Sequence, residues 1–406
     1  MSPSRLLACA VVVPFLAGCG DHRAAACPPA RAGQVAFVRA GALVVLDLDG
    51  CTQHMVARGV QGPVAWSPDG KWIVAGNALV SAAGGRKLVG LGVWAPRGHV
   101  LARITRRGGL LLGAPGTRAR RLLADGFGAI DAVYAKNGTL AVLRELRSGR
   151  ALGPPRREEI WLLRPPRMRP RLLYSVPHGL DMPPYLAAVS PDGRAVFFWP
   201  FVDHAISANL DGLPLEVVTG GAPRPRPIVP AMLALRGYLG WCGRALVVAA
   251  GFDRMATLHK SLIVAAPPRW RTRTLARAGP LSWISPACSP DGRTVAAAAG
   301  PNREDVPFGR EARSIWLVRL DGRVRTRLTP PPPRGESDEV PQSSTDGRFI
   351  VFVRAGPTTK SATARGRLYL VETTGRHRLY GPLADLGLGS NYYGEYGWSW
   401  DRSKAP

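Results

Sequence analysis

The chain of 406 residues carries a formal net charge of +26, from 54 Lys and Arg against 28 Asp and Glu. Such a charge suggests nucleic acid, but only 6 of the 54 cations are Lys and 48 are Arg, beside 47 Gly and 38 Pro, a skew that GC-rich coding produces by itself. The densest basic runs, Arg103-Ile104-Thr105-Arg106-Arg107 and Arg118-Ala119-Arg120-Arg121, lack the interleaved aromatics that stack on bases, so the sequence predicts no nucleic-acid partner.

At the N-terminus Arg5 is a minimal basic region, and the apolar run from Leu6 to Leu16 contains Pro14. A run this short is below the roughly 20 residues needed to cross a bilayer. Leu16-Ala17-Gly18-Cys19 resembles the lipobox at which bacterial lipoprotein signal peptides are cut. The resemblance implies that 1–19 is a signal peptide ending at Cys19, which becomes the lipidated first residue of the mature chain. An ordinary secreted protein or a short uncleaved anchor is the alternative. Residues 20–33, rich in Ala, Arg and Pro, read as a flexible tether ahead of the first strand.

That strand begins near Val35-Ala36-Phe37-Val38-Arg39 and returns through Ala40-Gly41 into Ala42–Asp47, closed by Leu48-Asp49-Gly50. Ser67-Pro68-Asp69-Gly70 then introduces a repeat, copied at Ser190-Pro191-Asp192-Gly193 and Ser289-Pro290-Asp291-Gly292 and blurred at Ser344-Thr345-Asp346-Gly347. Each copy is followed by Lys or Arg. Ser caps the turn, Pro presets φ at the first turn position, Asp bonds its own backbone and Gly takes the positive φ that ends it. Short apolar segments precede each copy and β-branched or aromatic ones follow, so each joins two strands. Degenerate copies occupy 93–98, 133–138 and 240–244. A second tight turn recurs as Leu210-Asp211-Gly212 and Leu320-Asp321-Gly322, with Thr374-Gly375 as a looser version. Each unit therefore reads as four antiparallel strands, a to d.

Repeated four-stranded units pack against one another around an axis, which predicts an all-β propeller. Seven turns are complete. The eighth is split, because Trp398-Ser399-Trp400-Asp401 imitates Trp66-Ser67-Pro68-Asp69 at the C-terminus while the N-terminus opens on a b-type strand. Eight blades are favoured over seven, closed by a C-terminal strand a with N-terminal strands b, c and d. The W-S-P-D-G-K, I-W-L-V-R-L-D-G and R-L-T elements resemble the TolB-like propeller repeat, also called PD40 or WD40-like, over about 34–401, leaving 402–406 as a tail. The resemblance implies a fold rather than an activity, since such propellers host binding proteins, lyases and peptidase accessory domains.

Export puts Cys27, Cys51, Cys242 and Cys288 where disulfides persist. Cys27 and Cys51 flank the first hairpin at one end of the closing blade, where a bridge would stabilise by roughly 3 kcal/mol. Cys242 and Cys288 lie near the a-to-b turns of consecutive units. Buried free thiols are the alternative for both pairs. No C-x-x-C or Cys/His cluster suggests zinc, and nothing implies a metal or cofactor.

In such a blade both tight turns share one face, and the b-to-c loops and blade connections share the other. The irregular segments 145–158, 175–184, 219–230, 252–260, 301–313, 329–341 and 358–367 are expected on the second face as the binding rim. It reads as basic, with Arg147, Arg150, Arg156, Arg157, Arg224, Arg226, Arg254, Arg310 and Arg313, against acidic groups at Glu304-Asp305 and at Glu336, Asp338 and Glu339. Tyr392 and Tyr393 enter the last strand from this rim and form a candidate contact. Recurrent Trp residues next to the turns read as packing between blades.

Signals for chemistry are weak. There is no G-x-S-x-G elbow and no H-E-x-x-H, although His178, His204 and His259 come from the middle of the chain. The sequence thus reads as a membrane-anchored, extracytoplasmic scaffold binding a cell-envelope protein or an anionic envelope polymer. The alternative is an envelope lyase or hydrolase acting on an acidic polysaccharide.

Overall fold

The computed structural model describes residues 27–28, 32–89, 92–147, 155–176, 184–200, 212–220, 222–251, 257–303, 311–357, 363–390 and 398–400. Its strands form six four-stranded antiparallel sheets and one eight-stranded sheet. The larger sheet is two units, 185–232 and 239–276, joined by a single bridge between Met232 and Ala250. In chain order, unit 1 is 34–58 with the C-terminal strand, and units 2 to 8 span 64–89, 93–123, 129–176, 185–232, 239–276, 281–327 and 337–390. The chain is a β-propeller.

Unit 1 is closed by both ends of the chain. Trp398–Trp400 pairs antiparallel with Gln34–Arg39, Val35 opposite Trp400 and Phe37 opposite Trp398. First strands of successive units touch: Ala129–Tyr134 with Tyr185–Val189, Leu239–Cys242 with Leu281–Cys288, that strand with Ser337–Ser343, and Trp398–Trp400 with Val64–Trp66. Two tryptophans lock neighbours together there. Trp66 Nε1 donates to the Ser399 carbonyl at 3.0 Å, and Trp94 Nε1 donates to the Ala65 carbonyl at 3.1 Å.

Burial follows position within a unit. Second strands such as Ala195–Trp199 and Phe349–Ala355 are buried along their whole length, because the neighbouring units cover both faces. Outer strands such as Thr52–Arg58 and Arg271–Ala276 are largely exposed. Each fully buried Val, Leu or Phe contributes on the order of 2 kcal/mol, so the second strands hold the units together. Two disulfides reinforce the ring. Cys27 is bonded to Cys51, Cα atoms 5.7 Å apart, and Cys242 to Cys288, Cα atoms 5.2 Å apart, at the ends of the first strands of units 6 and 7.

Several expected loops are strands. In unit 5, Leu213–Thr219 is the third strand, with Ala195 opposite Thr219, so Gly212 precedes that strand instead of closing it. Segment 219–230 is then a short c-to-d turn followed by the outer strand Ala222–Met232. Its four prolines, Pro223, Pro225, Pro227 and Pro230, hid it in the sequence; an outer strand tolerates them because one side needs no ladder. Arg224 and Arg226 therefore lie on that strand near the tight turns, and not on the loop rim. Likewise Leu140–Arg147 and Pro155–Arg164 extend as a paired hairpin, placing Arg147, Arg156 and Arg157 on strands.

Candidate binding surfaces on the two faces

The recurrent turn builds one face of the ring. In unit 5 the Ser190 hydroxyl donates to Asp192 Oδ1 at 2.6 Å and accepts the Ala195 amide at 2.9 Å, while the Arg194 amide donates to Asp192 Oδ1 at 3.2 Å. Gly193 has φ +69°, and a Cβ there would meet the Thr139 side chain at 2.3 Å, so only glycine serves. The same bonds recur at Ser67–Asp69 (2.7 Å), Ser289–Asp291 (2.5 Å) and Ser344–Asp346 (2.6 Å). Since the last copy has Thr345 in place of proline, the Ser, Asp and Gly carry the geometry.

Neighbouring turns bond to each other around the ring. His99 Nδ1 lies 2.6 Å from Asp69 Oδ2, and Asn137 Nδ2 donates to the Asp192 carbonyl at 2.7 Å. Partial burial acts to raise the Asp192 carboxyl, but the Ser190 hydroxyl, the Arg194 amide and the Arg194 and Arg244 guanidiniums hold it below its ordinary value. The Ser289 hydroxyl lowers Asp291 in the same way.

Between units 4, 5 and 6 this face sinks into a groove of about 400 Å³. Arg164 and Arg171 of unit 4, Arg194 of unit 5 and Arg244 of unit 6 line it, with Thr219, Gly220, Pro267, Pro268 and Trp270. All four arginines are exposed. Arg244 stands 3.8 Å from Asp192 Oδ2, the one acidic residue of the lining. Among the described residues, no carboxylate lies within ion-pair distance of Arg164 or Arg171. The wall is stiff: Trp270 is buried edge-on against Phe197 at 4.9 Å, and the exposed Arg226 guanidinium donates to the Arg269 carbonyl in the adjoining turn. A second cavity of about 340 Å³ on the same face, between units 7 and 8, is lined by Asp291, Asp346 and the hydroxyls of Ser289, Thr294, Ser343, Thr373 and Thr374.

The opposite face carries charge in another state. Arg313, expected on the exposed rim, is 2% exposed. Its guanidinium meets Glu339 Oε1 at 2.6 Å, Glu311 Oε1 at 3.0 Å and Ser337 Oγ at 3.1 Å, and the Thr257 hydroxyl donates to Glu311 at 2.9 Å. Arg354 is bidentate to Asp338, at 2.6 and 3.0 Å, and the Thr329 hydroxyl donates to the same carboxylate at 2.7 Å. Arg367 pairs with Glu336 nearby. Asp338 and Glu339, expected on the rim, thus lie beneath it, because Ser337–Ser343 is the first strand of unit 8 and packs against unit 7. Burial, the largest influence, pushes Glu339 up to about 7 in spite of Arg313. Lys260 is also buried, its ammonium donating to the Gly251 carbonyl at 3.0 Å.

Of the other expected rim residues, Arg157 is exposed and lies 3.7 Å from Glu159, while Arg224 and Arg226 are exposed toward the opposite face. Arg150, Arg254, Arg310, Tyr392 and Tyr393, with Cys19, His178 and His204, lie outside the described residues. His259 is described, with φ +51° and its ring Nδ1 3.2 Å from the Asn302 amide. Among the described residues, no three His, Cys, Asp or Glu cluster as a metal site, and no helix is long and apolar enough to cross a membrane. Sequence reasoning passed over the groove, although a signal existed in the basic residue after each turn glycine, Lys71, Arg194, Arg293 and Arg348.

No family model matches the chain, and no curated protein matches it in sequence. Among solved structures it is similar to dipeptidyl peptidase 4 of Porphyromonas gingivalis, with TM-score 0.51 and 11% identity over 88% of this chain and 58% of that enzyme. It is also similar to a putative TolB from Agrobacterium tumefaciens, with TM-score 0.38 and 16% identity over 90% of this chain and 96% of the other. An oligogalacturonate lyase from Vibrio parahaemolyticus gives TM-score 0.47 and 12% identity over 87% and 86%. At such identities the likeness is one of fold alone.

Proposed function

We propose that the protein is a binding propeller of the bacterial cell envelope, exported, held at the membrane through lipidated Cys19 and the 20–33 tether, and engaging an anionic envelope protein or polymer. One observation carries this reading. The groove between units 4, 5 and 6 gathers four exposed guanidiniums with one carboxylate among them, Arg164 and Arg171 on strands of unit 4 and Arg194 on a turn fixed by the Ser190 and Asp192 side chains. Exposed arginines at a concave, preformed surface attract anions and pair with them bidentately at small reorganisation cost. Structural need does not account for them, since a surface guanidinium adds little to stability. The reading needs no cofactor and no nucleic acid.

The test is cross-linking in intact cells followed by capture of the full chain. The expected result is one stoichiometric envelope component, released by salt and lost when Arg164, Arg171, Arg194 and Arg244 are all replaced by Ala. Cys19→Ala is expected to shift the protein out of the membrane fraction. Capture that ignores the four arginines, or turnover of an acidic polysaccharide by the wild-type chain, would replace this reading.

A further inference from the structure

Resting on that reading, we infer that the groove between units 4, 5 and 6 is a site for phosphate, taking the phosphate groups of a soluble or polymeric ligand in preference to carboxylates. The four arginines approach from three units. Arg164 ends the third strand of unit 4 and Arg171 lies in its fourth strand, while Arg194 and Arg244 come from the first turns of units 5 and 6. Guanidiniums that converge from different sides need an acceptor with oxygens in several directions. A carboxylate offers two oxygens with lone pairs in one plane, whereas a phosphate presents three or four oxygens tetrahedrally, so that several forks can engage a single group.

Charge points the same way. Four arginines against Asp192 leave the lining at +3, since 4 − 1 = 3. A phosphate monoester carries close to two negative charges near neutral pH, and successive phosphates neutralise the remainder within one groove. Asp192 is already committed, its Oδ1 to the Ser190 hydroxyl and the Arg194 amide and its Oδ2 facing Arg244, so it does not fill the groove. Thr219 adds a hydroxyl, and Gly220 leaves open space beside its backbone. The surface is concave, with Pro267, Pro268 and Trp270 in its lining, whereas a bilayer presents its headgroups in a plane and would meet only the rim; the shape favours a chain or compact anion over a membrane.

The experiment titrates tripolyphosphate into the full chain by calorimetry, beside a galacturonate oligomer of equal charge and vesicles containing phosphatidylglycerol. Wild type is expected to bind tripolyphosphate, with affinity falling as salt rises. Arg194→Ala/Arg244→Ala is expected to weaken it about tenfold or more, because two charge-assisted pairs are lost. Arg118→Ala/Arg120→Ala, on the same face in unit 3 but outside the groove, is expected to leave it unchanged. No binding of tripolyphosphate, equal binding by the groove variant, galacturonate binding as tightly, or vesicles competing through the same arginines would each overturn the phosphate site. If the groove variant still loses the cross-linked envelope component in such a case, the binding propeller stands and only its ligand class falls. If capture is unaffected as well, both fall.

Discussion

Arginine does two different jobs on the two faces of this ring. On the turn face of units 4 to 6, Arg164, Arg171, Arg194 and Arg244 stand in solvent around a groove with one carboxylate. On the loop-bearing face of units 7 and 8, Arg313 and Arg354 are buried and neutralised by Glu311, Glu339 and Asp338. The same side chain serves attraction in one setting and cohesion in the other. What decides between them is whether neighbouring units bring acidic partners and cover the pair, which a net charge of +26 does not reveal.

The largest effect separating the two populations is expected from Arg313→Ala. Removing one member of a buried ion pair leaves the other uncompensated, at a cost of about 3 to 5 kcal/mol; here two carboxylates, Glu311 and Glu339, would be stranded. Chemical denaturation should show a large fall in midpoint, and a wild-type midpoint would mean that the network contributes nothing.

Next comes a pH dependence peculiar to the buried side. Glu339 is raised from 4.5 to about 7, so the folded state holds its proton more tightly than the unfolded chain. The associated stability is fully present below pH 4.5 and is lost as pH rises through 7. By linkage its size is at most about 3 kcal/mol. Relative to Glu339→Gln, which lacks this proton, the wild-type chain should lose stability between pH 5 and pH 8. A difference between the two proteins that stays constant over that range would sink the assignment.

A smaller effect is expected from Ser190→Ala, which removes the hydroxyl that holds Asp192 and accepts the Ala195 amide. The loss should be on the order of 1 kcal/mol, read as a modest drop in thermal midpoint accompanied by weaker anion binding, since the turn that carries Arg194 loses its bonds to the Ser190 hydroxyl. Smallest of all should be the stability change in Arg194→Ala/Arg244→Ala, within about 0.5 kcal/mol. Marked destabilisation there would make these arginines structural and erase the contrast.

The regular parts of the molecule were legible because each has a local cause. Ser, Asp and Gly of the repeat make their turn with bonds inside six residues, so each copy announces a strand pair wherever it occurs. Closure of unit 1 was legible because Val35–Arg39 duplicates the strand beginning Val351, and Trp398-Ser399 duplicates the approach to a turn. The outer strand of unit 5 was not, since its prolines mimic a loop and only its place at the edge of a sheet makes them tolerable. Arg313 was not legible either. Nothing within its own segment sets it apart from an exposed arginine, and the partner that covers it, Glu339, lies 26 residues away in another unit. The groove was half legible: a cation follows each turn glycine, but only the ring brings Arg164 and Arg171 beside Arg194 and Arg244.

The division of labour between the two faces is tested most directly by measuring tripolyphosphate affinity and thermal midpoint together in Arg194→Ala/Arg244→Ala and in a conservative buried-side variant, Arg313→Lys. The groove variant should lose affinity about tenfold or more while keeping its midpoint, and Arg313→Lys should lower the midpoint while leaving affinity untouched. Affinity and midpoint falling together in both proteins would contradict the account.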